Sequence, residues 1–375
     1  MVGGGQGGFI GAVHRLAARL DDDYELVAGA PSSNPERALA SGLAWRLDPT
    51  RIYTDYREMA RREAERDDGI DVVAIVVPNH LHFDVARTFL EAGLHVICDK
   101  PLTTNRADAE TLLALAQKQN CRFALTHNYS GYPLVRAARD LVTAGDLGEI
   151  RVVQVEYAQD WLAQPLEATG NRQASWRTDP ALAGPAGCLG DIGSHAAHLA
   201  EFVTGMSPQS LSADLMSFVP GRRVDDHVQV QLRYANGARG LLWASQVASG
   251  EENGLRLRVY GSKGALCWQQ EHPNELWHTP LGQPAQRLTR GMAGLPASAA
   301  AATRTPQGHP EGFIEAFAQI YRDFAGDLRR HLDGEVGVAA SVPGLEDGVR
   351  SLAFIEAVLA SHRDNGAWTV PGRCA

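Results

Sequence analysis

Gly3-Gly4-Gly5-Gln6-Gly7-Gly8 is the stretch that decides the fold, because it leads directly into an amphipathic pattern that predicts a helix over residues 9–20. Its spacing is G-x-G-x-x-G, in which the glycines permit a tight turn and let a pyrophosphate approach the backbone N–H groups. The N-terminus of the following helix favours negative charge at the same place. We therefore predict a dinucleotide-binding turn with contacts from Gly3, Gly5, Gln6 and Gly8.

Residues 1–127 alternate short β-branched runs with helical patterns, which is typical of a parallel sheet joined by crossover helices. Beyond the glycine turn, the predicted strands are 25–28, 72–77, 95–98 and 123–125, and the predicted helices are 9–20, 84–92 and 107–119. Only Met1 and Val2 precede the turn, so the first strand is either a stub or begins upstream of Met1. This part of the chain predicts a Rossmann dinucleotide-binding domain.

Past residue 150 the pattern changes to alternating polar and apolar residues, which predicts a large, mostly antiparallel sheet. Segments 228–234 and 241–245 flank Asn236-Gly237, which predicts a hairpin with a type I′ turn, and residues 255–260 repeat the alternation. We expect a long loop over 281–308 and helices over 311–332 and 347–362. The predicted fold class is α/β, with a Rossmann domain over residues 1–127 and a second α/β domain over 128–375.

Composition narrows the classes of function. A chain of 375 residues suits two domains better than one core, and its net charge of -9 offers no basic face for nucleic acid or an anionic membrane surface. No apolar run approaches the length of a membrane span, and the N-terminus lacks a signal-peptide pattern, so we expect a cytoplasmic protein that acts on a small neutral substrate. The five cysteines lack C-x-x-C spacing and are expected to be reduced thiols: Cys98, Cys121, Cys188, Cys267 and Cys374.

The segment after the predicted strand 25–28 bears on the choice between NAD and NADP. An NAD enzyme normally places an acidic side chain there against the ribose 2′-hydroxyl, and this chain has none. Ser32, Ser33 and Arg37 could instead hold a 2′-phosphate, which favours NADP slightly over NAD. The alternative is structural: Ser33-x-x-Glu36 is a capping box, and Arg37 is a solvated helix residue.

Several further motifs occur in a characteristic order. They are Val77-Pro78-Asn79-His80-Leu81-His82, Cys98-Asp99-Lys100-Pro101, Asn128-Tyr129, Trp176-Arg177 and Gly190-Asp191-Ile192-Gly193-Ser194-His195. In this set the chain resembles the Gfo/Idh/MocA oxidoreductase family over nearly its whole length. The resemblance implies a nicotinamide cofactor between the two domains, with contacts from Pro78, Asn79, His82, Asp99, Lys100 and Asn128. It also implies homodimers or homotetramers formed through the large sheet.

The chain departs from the family pattern at two points. Asp99 stands where the family usually carries Glu, which puts the bracing of Lys100 in question but not its charge. Tyr129-Ser130 replaces a common continuation that contains arginine, so substrate contacts there are expected to differ.

Oxidation of a secondary alcohol requires a base for the hydroxyl proton while hydride leaves the carbon. His195 suits that task, and Asp191, four residues earlier, could orient its imidazole if the stretch is helical. Lys100 would add positive charge where the alkoxide develops. Taken alone, each of these residues has an ordinary structural explanation, but together and in family order they predict a catalytic set.

The segments 156–161 and 175–180 resemble those of levoglucosan, inositol and related sugar dehydrogenases. Aromatic faces against C–H groups, with amide or guanidinium groups against hydroxyls, suit a sugar. The candidates are Gln159, Trp161, Trp176, Arg177 and His309. The alternative is that the two tryptophans belong to the core and that Arg177 pairs with Asp179.

Other functions compete with a sugar or cyclitol dehydrogenase. His80-Leu81-His82 and His195-x-x-His198 lack a third ligand at suitable spacing, so no metal is predicted. A cofactor-using glycosidase and a non-catalytic dinucleotide sensor are the remaining alternatives, and the presence of Lys100, Asp191 and His195 argues against the sensor.

Overall fold

The computed structural model describes residues 1–335 and 342–372, which form two compact units. The N-terminal unit consists of Met1–Asn128 with Phe313–Val349, and the sheet unit consists of Tyr129–Gly312 with Arg350–Ala375. Four cysteines are free thiols, and Cys374 lies outside the described residues.

A four-stranded parallel sheet forms the N-terminal unit, in the strand order β1-β2-β3-β4. The strands are β1 (Val2–Gly3), β2 (Val72–Val76), β3 (His95–Cys98) and β4 (Phe123–Leu125), with helices α1 (Phe9–Leu20), α2 (Pro35–Ala44), α3 (Tyr56–Ala64), α4 (His82–Glu91) and α5 (Arg106–Lys118). Buried apolar residues on β2 and β3 fit strands that are covered on both faces. The Rossmann prediction is confirmed, with β1 present as a two-residue stub.

The predicted strand 25–28 is wrong. Residues 23–28 form no regular element, and the pairing falls on the next two residues, where Ala30 bridges Val2 and Gly29 bridges Ile52. A strand needs a partner of matching length, and β1 offers only a stub. The segment therefore makes isolated bridges, with Ala30 N–H donating to Met1 O at 2.9 Å.

The predicted capping box at Ser33 and Glu36 is also wrong. Helix α2 begins at Pro35, and the side chain of Asn34 accepts the N–H of Arg37 at 2.9 Å. Proline is favoured at the first helical position because its φ is already helical and its missing N–H needs no partner. That preference moves the cap from Ser33 to Asn34.

The sheet unit contains an eight-stranded sheet in the order β12-β11-β10-β9-β5-β8-β7-β6. Its strands are β5 (Ile150–Ala158), β6 (Ser210–Met216), β7 (His227–Arg233), β8 (Arg239–Ser245), β9 (Gly254–Gly261), β10 (Gly264–Gln269), β11 (Glu275–Pro280) and β12 (Gln286–Thr289). All neighbours pair antiparallel except β5 and β8, which run parallel. The helices of this unit are α6 (Pro133–Thr143), α7 (Arg172–Arg177), α8 (Pro180–Ala183), α9 (Ser194–Thr204) and α10 (Ala297–Ala301).

Two local predictions in the sheet unit need correction. The β7–β8 hairpin forms as predicted, but positive φ falls on Gly237 (+88°) and not on Asn236, so the turn is not type I′. The predicted loop 281–308 contains β12 and α10. Leu288 pairs with Leu276 across the strands, and the alanine run Ala299-Ala300-Ala301 has high helix propensity.

Helix α11 (Phe313–Leu332) packs on α1 within the N-terminal unit. Its Phe317, Tyr321 and Phe324 share a buried cluster with Val13 of α1, and Tyr321 Oη lies 2.8 Å from His14 Nδ1. The predicted boundary at residue 127 left this helix in the second domain, whereas the structure groups it with the first. The last helix, α12 (Leu345–Arg363), has its first residues in the N-terminal unit and the rest in the sheet unit.

Within the described ranges, no helix is both long enough and apolar enough to cross a membrane.

Phe317→Ala should destabilise the protein by about 3–5 kcal/mol, because it opens a cavity where α11 meets α1. Denaturant unfolding of the full chain measures this loss. Leu332→Ala on the same helix is the control, since its side chain is 66% exposed and should cost far less. Equal losses from the two changes would contradict the packing of α11 on α1.

Candidate active site

The glycine turn of the N-terminal unit has a geometry that only glycine permits. Gly3 and Gly4 have φ of +80° and +69°, and a Cβ on Gly11 would lie 2.4 Å from Gly4 Cα. The first N–H groups of a helix have no partner within the helix. At the start of α1 no side chain caps them, and no acidic residue stands in the first turn. A phosphate group suits such a helix start.

The segment 32–37 lies beside this turn. Exposed Arg37 donates from Nη2 to Gln6 O at 3.4 Å, and Gln6 N–H donates to Ser41 Oγ at 3.2 Å. Ser32 Oγ accepts the N–H of Asn34 at 3.1 Å, while Ser33 is exposed. The structure therefore brings Arg37 to the glycine turn, as a role in binding a nucleotide requires.

His82 links the loops that follow β2 and β3. Its Nδ1 lies 2.6 Å from Pro101 O and its Nε2 lies 2.9 Å from Val77 O. The side chain is buried, and this burial lowers the pKa of the imidazole. Pro78 and Asn79 form the turn before α4. The contact of His82 with Pro101 O holds the loop that carries Lys100.

Asp99 shapes the same loop from its other side. Its Oδ1 accepts the N–H of Lys100 and the hydroxyl of Thr126, both at 2.9 Å. The shorter acid thus fixes the backbone at Lys100. After β4, Asn128 is buried, and within the described residues its Nδ2 has no hydrogen-bond partner. The glycine turn and this unsatisfied amide both fit a bound dinucleotide.

In the sheet unit the candidate Gln159 lies at one end of the large sheet. The register aligns Gly254, Ala158, Ser245 and His227 across β9, β5, β8 and β7. We call this row the site edge. Gln159, Gln246, Asn253 and Asp226 each stand one residue beyond it.

A short π-helical turn, Leu189–Gly193, leads into α9 and carries Asp191, with His195 following in the first turn of α9. Asp225 fixes its start by accepting the N–H groups of Gly187 and Leu189, each at 2.7 Å. Burial raises the pKa of Asp225 to about 6, although these two donors oppose the rise. Single π turns are frequent at functional sites, because they redirect side chains within a helix.

Asp191 contacts Arg177, which was predicted to bind substrate, and Gln246, which was not. It accepts from Gln246 Nε2 at 2.9 Å and lies 3.4 Å from Arg177 Nε. The Arg177 guanidinium is 4.2 Å from the ring centre of Trp176 and 5.9 Å from that of Trp161. The predicted alternative, a pair between Arg177 and Asp179, is wrong, because Asp179 pairs with Arg223 at 2.9 Å.

A chain of neutral side chains connects His195 with Gln159. The His195 ring meets the Tyr129 ring edge-on at 4.9 Å, and the hydroxyls of Tyr129 and Tyr157 are 2.5 Å apart. Asn253 Oδ1 then accepts from Tyr157 Oη and from Gln159 Nε2, both at 2.7 Å. Burial raises the pKa of Tyr129 to about 12 and that of Tyr157 well above its usual value, so both phenols stay protonated at neutral pH.

His309 is exposed, and its backbone hydrogen bonds hold the segment that carries it. Buried Arg290 donates to the carbonyls of Thr305 and His309 and to the Glu311 carboxylate. The described contacts join His309 to this segment and not to the residues around Asp191.

Sequence reasoning missed Tyr157, Asn253, Gln246 and Asp225 as parts of this arrangement. Alternation along β5 could have indicated Tyr157, since residues two apart share one face of a strand. Gln246, Asn253 and Asp225 belong to connections whose side chains meet only when the strands are in register, and they carry no local signal.

Comparison with known proteins agrees with this architecture. Residues 1–127 match the model of an oxidoreductase family with an NAD-binding Rossmann fold, and residues 135–267 match the GFO/IDH/MocA C-terminal domain. An uncharacterized oxidoreductase of Bacillus subtilis is 35% identical over 98% of this chain and 95% of its own length. The levoglucosan dehydrogenase of Pseudarthrobacter phenanthrenivorans is 31% identical over 72% of this chain and 73% of its own.

A solved structure shows the same fold. It is an inositol dehydrogenase homolog from Azotobacter vinelandii, complexed with NADH and myo-inositol, with 38% identity, a TM-score of 0.93, and coverage of 99% of this chain and 96% of that one. With both family models, the full-length relative and this structure in agreement, the chain belongs to the GFO/IDH/MocA oxidoreductase family.

Proposed function

We propose that this oxidoreductase transfers a hydride between nicotinamide and a hydroxyl-bearing carbon of a sugar, anhydrosugar or cyclitol. The observation that carries the proposal is the joining of Arg177, Asp191 and Trp161 in the sheet unit, with His195 and Gln159 linked through neutral phenols. Charged, amide and aromatic groups together suit the hydroxyls and C–H faces of a polyol. Relatives named for levoglucosan and inositol support the same substrate class.

In this proposal His195 accepts the hydroxyl proton of the substrate, and Asp191 stabilises the imidazolium that results. Bound nicotinamide would take the hydride that leaves the same carbon. Lys100 offers positive charge to the developing alkoxide, and the phenol of Tyr129 packs on the His195 ring without adding charge. Gln159, Trp161, Trp176 and Arg177 bind the substrate, and His309 is a further candidate for a substrate contact.

For the cofactor we propose contacts from Gly3, Gly5, Gln6 and Gly8 to the pyrophosphate, and from Pro78, Asn79, Asp99, Lys100 and Asn128 toward the nicotinamide half, with His82 behind them. The unsatisfied Nδ2 of Asn128 supports this set. We retain the slight preference for NADP, with Ser32, Ser33 and Arg37 at the 2′-phosphate, because Arg37 lies beside Gln6.

We also propose that two copies associate through the open face of the large sheet. The register places Trp277, Cys267, Arg258, Gln154 and Leu241 in one row on that face. Trp277 and Leu241 are exposed large apolar side chains, which a partner subunit would cover. The proposed compartment is the cytoplasm, since the reaction needs a supply of NAD(P).

Lys100→Ala should lower kcat by about 10²–10³-fold while nicotinamide binding persists, because it removes a charge that stabilises the transition state and leaves the glycine turn intact. Steady-state reduction of NAD(P)+ across a panel of hexoses, anhydrosugars and cyclitols measures it. The control is Lys118→Ala, which changes an exposed lysine on α5. Full activity of Lys100→Ala would contradict the assignment.

His195→Asn should abolish most turnover and the rise of the oxidation rate with pH, since asparagine can bind a hydroxyl but cannot accept its proton. Asp191→Asn should keep some activity and move the rise to lower pH, because the imidazolium loses a stabilising charge. Rate profiles from pH 5 to 10 distinguish the two. His198→Asn, on the same helix, is the control. An unchanged profile in His195→Asn would place the base elsewhere.

Arg37→Ala should weaken NADP+ binding by about tenfold and NAD+ binding much less, because only the former has a 2′-phosphate for the guanidinium. Titration of each cofactor, followed by protein fluorescence, gives both dissociation constants. Arg61→Ala removes another exposed arginine of the same unit and should change neither. Equal weakening of both cofactors would favour a purely structural role for Arg37.

A further inference from the structure

Two adjacent carboxylates, the half-buried Asp225 and the buried Asp226, stand just before β7 and accept hydrogen bonds from different segments. Asp225 accepts the N–H groups of Gly187 and Leu189 at the start of the π turn that carries Asp191. Asp226 accepts the N–H groups of Phe218 and Val219 at 2.9 and 3.1 Å, and the Nη1 of Arg222 at 3.1 Å.

Arg222 is a buried cation, with a side chain that is 1% exposed, and all five of its N–H donors are used. Nε and Nη2 donate to the Glu167 carboxylate at 2.9 and 3.0 Å, and Nη1 donates to Asp226. The remaining bonds reach the carbonyls of Leu162 at 2.9 Å and Gln164 at 3.3 Å. A planar guanidinium can hold two carboxylates and two carbonyls at fixed angles, which an ammonium group cannot do.

The segment held by Arg222 begins directly after Trp161. The Leu162 carbonyl accepts from Arg222, and the Leu162 N–H donates to Gln246 O at 3.1 Å. Gln246 N–H in turn donates to Asp226 O at 2.9 Å, while its side chain donates to Asp191. The backbone on the C-terminal side of Trp161 is therefore fixed by Arg222 and by Gln246, which stands one residue beyond the site edge.

We propose that Arg222 and Asp225 are positioning residues with separate tasks. Arg222, held by Asp226, fixes the 162–167 segment and so sets the place of Trp161 and the affinity for substrate. Asp225 fixes the start of the π turn and so sets the place of Asp191 and the rate of the chemical step. The inference rests on the proposed function, since it takes Trp161 to bind substrate and Asp191 to act in the chemistry.

Arg222→Lys keeps the charge but loses the fork of donors, so it should raise KM for the polyol by about tenfold and leave kcat within about threefold. The matched control is Arg223→Lys, one residue away, with a side chain that is 64% exposed. Glu167→Gln, which removes one carboxylate partner of Arg222, should shift KM in the same direction by less. It replaces Arg222→Lys if that variant does not fold.

Asp225→Asn keeps the shape but turns one acceptor into a donor that faces a backbone N–H group. We expect kcat to fall by about tenfold or more with KM within about threefold. Asp214→Asn is the matched control, since its carboxylate on β6 is 87% exposed. A loss of thermal stability in both site variants with wild-type kinetics would overturn the proposal, and so would an exchange of the two kinetic effects.

Hydrogen exchange of residues 160–170 tests the Arg222 contacts without any substrate. Faster exchange confined to that segment in Arg222→Lys, and absent from Arg223→Lys, supports the fixing of the segment, whereas unchanged exchange overturns it. If none of the polyols in the panel supports reduction of NAD(P)+ by the wild-type protein, the proposed function fails. The hydrogen-exchange result still decides whether Arg222 holds the segment.

Discussion

The parallel pairing of β5 with β8 is the constraint on which the sheet unit depends. All other neighbours in the eight-stranded sheet run antiparallel, so this one pair brings the carboxyl ends of two strands to the same edge. Antiparallel pairing then brings the starts of β7 and β9 to that edge as well. The segments next to these four strand ends therefore lie side by side, and Gln159 and Asn253, 94 residues apart in sequence, are hydrogen-bonded there.

Buried charge is the second determinant of this region. Arg222 and Arg290 each lie in the interior, each meets carboxylates and backbone carbonyls, and each fixes a connecting segment. Removing a guanidinium from water costs free energy that only a complete set of partners offsets. Because the partners come from loops, the same requirement that stabilises the cation also holds those loops in one conformation, which is the preorganisation that a binding site needs.

Much of the fold could be predicted from the sequence, because glycine spacing and hydrophobic period are local signals. The Rossmann turn, β2 to β4, and the antiparallel sheet followed from them. The prediction of a strand at 25–28 was wrong because a strand also needs a partner strand. The prediction of a loop over 281–308 missed a short strand because turn-forming residues surround it. The helix over 311–332 was predicted, but not its packing on α1, since that contact joins parts of the chain far apart in sequence. The sequence named Trp161, Arg177 and Asp191 as candidates, and the structure brings Arg177 next to the other two, whereas the contacts of Gln246 and Asn253 depend on register alone.

His195 and Asp191 have different surroundings: neutral phenols lie next to His195, whereas Asp191 forms an ion pair with Arg177. Tyr129 and Tyr157 are buried, and their raised pKa values keep them as phenols, so they orient neighbours through hydrogen bonds without placing a charge next to an imidazole. Asp191 meets the Arg177 guanidinium and the Gln246 amide. The electrostatic energy of the Asp191–Arg177 ion pair changes when a nearby imidazole gains a proton. The neutral phenols carry no charge, so they respond much less to that proton. In the proposed mechanism the His195 imidazole therefore packs against a neutral phenol, while Asp191 is the group assigned to stabilise its charged form.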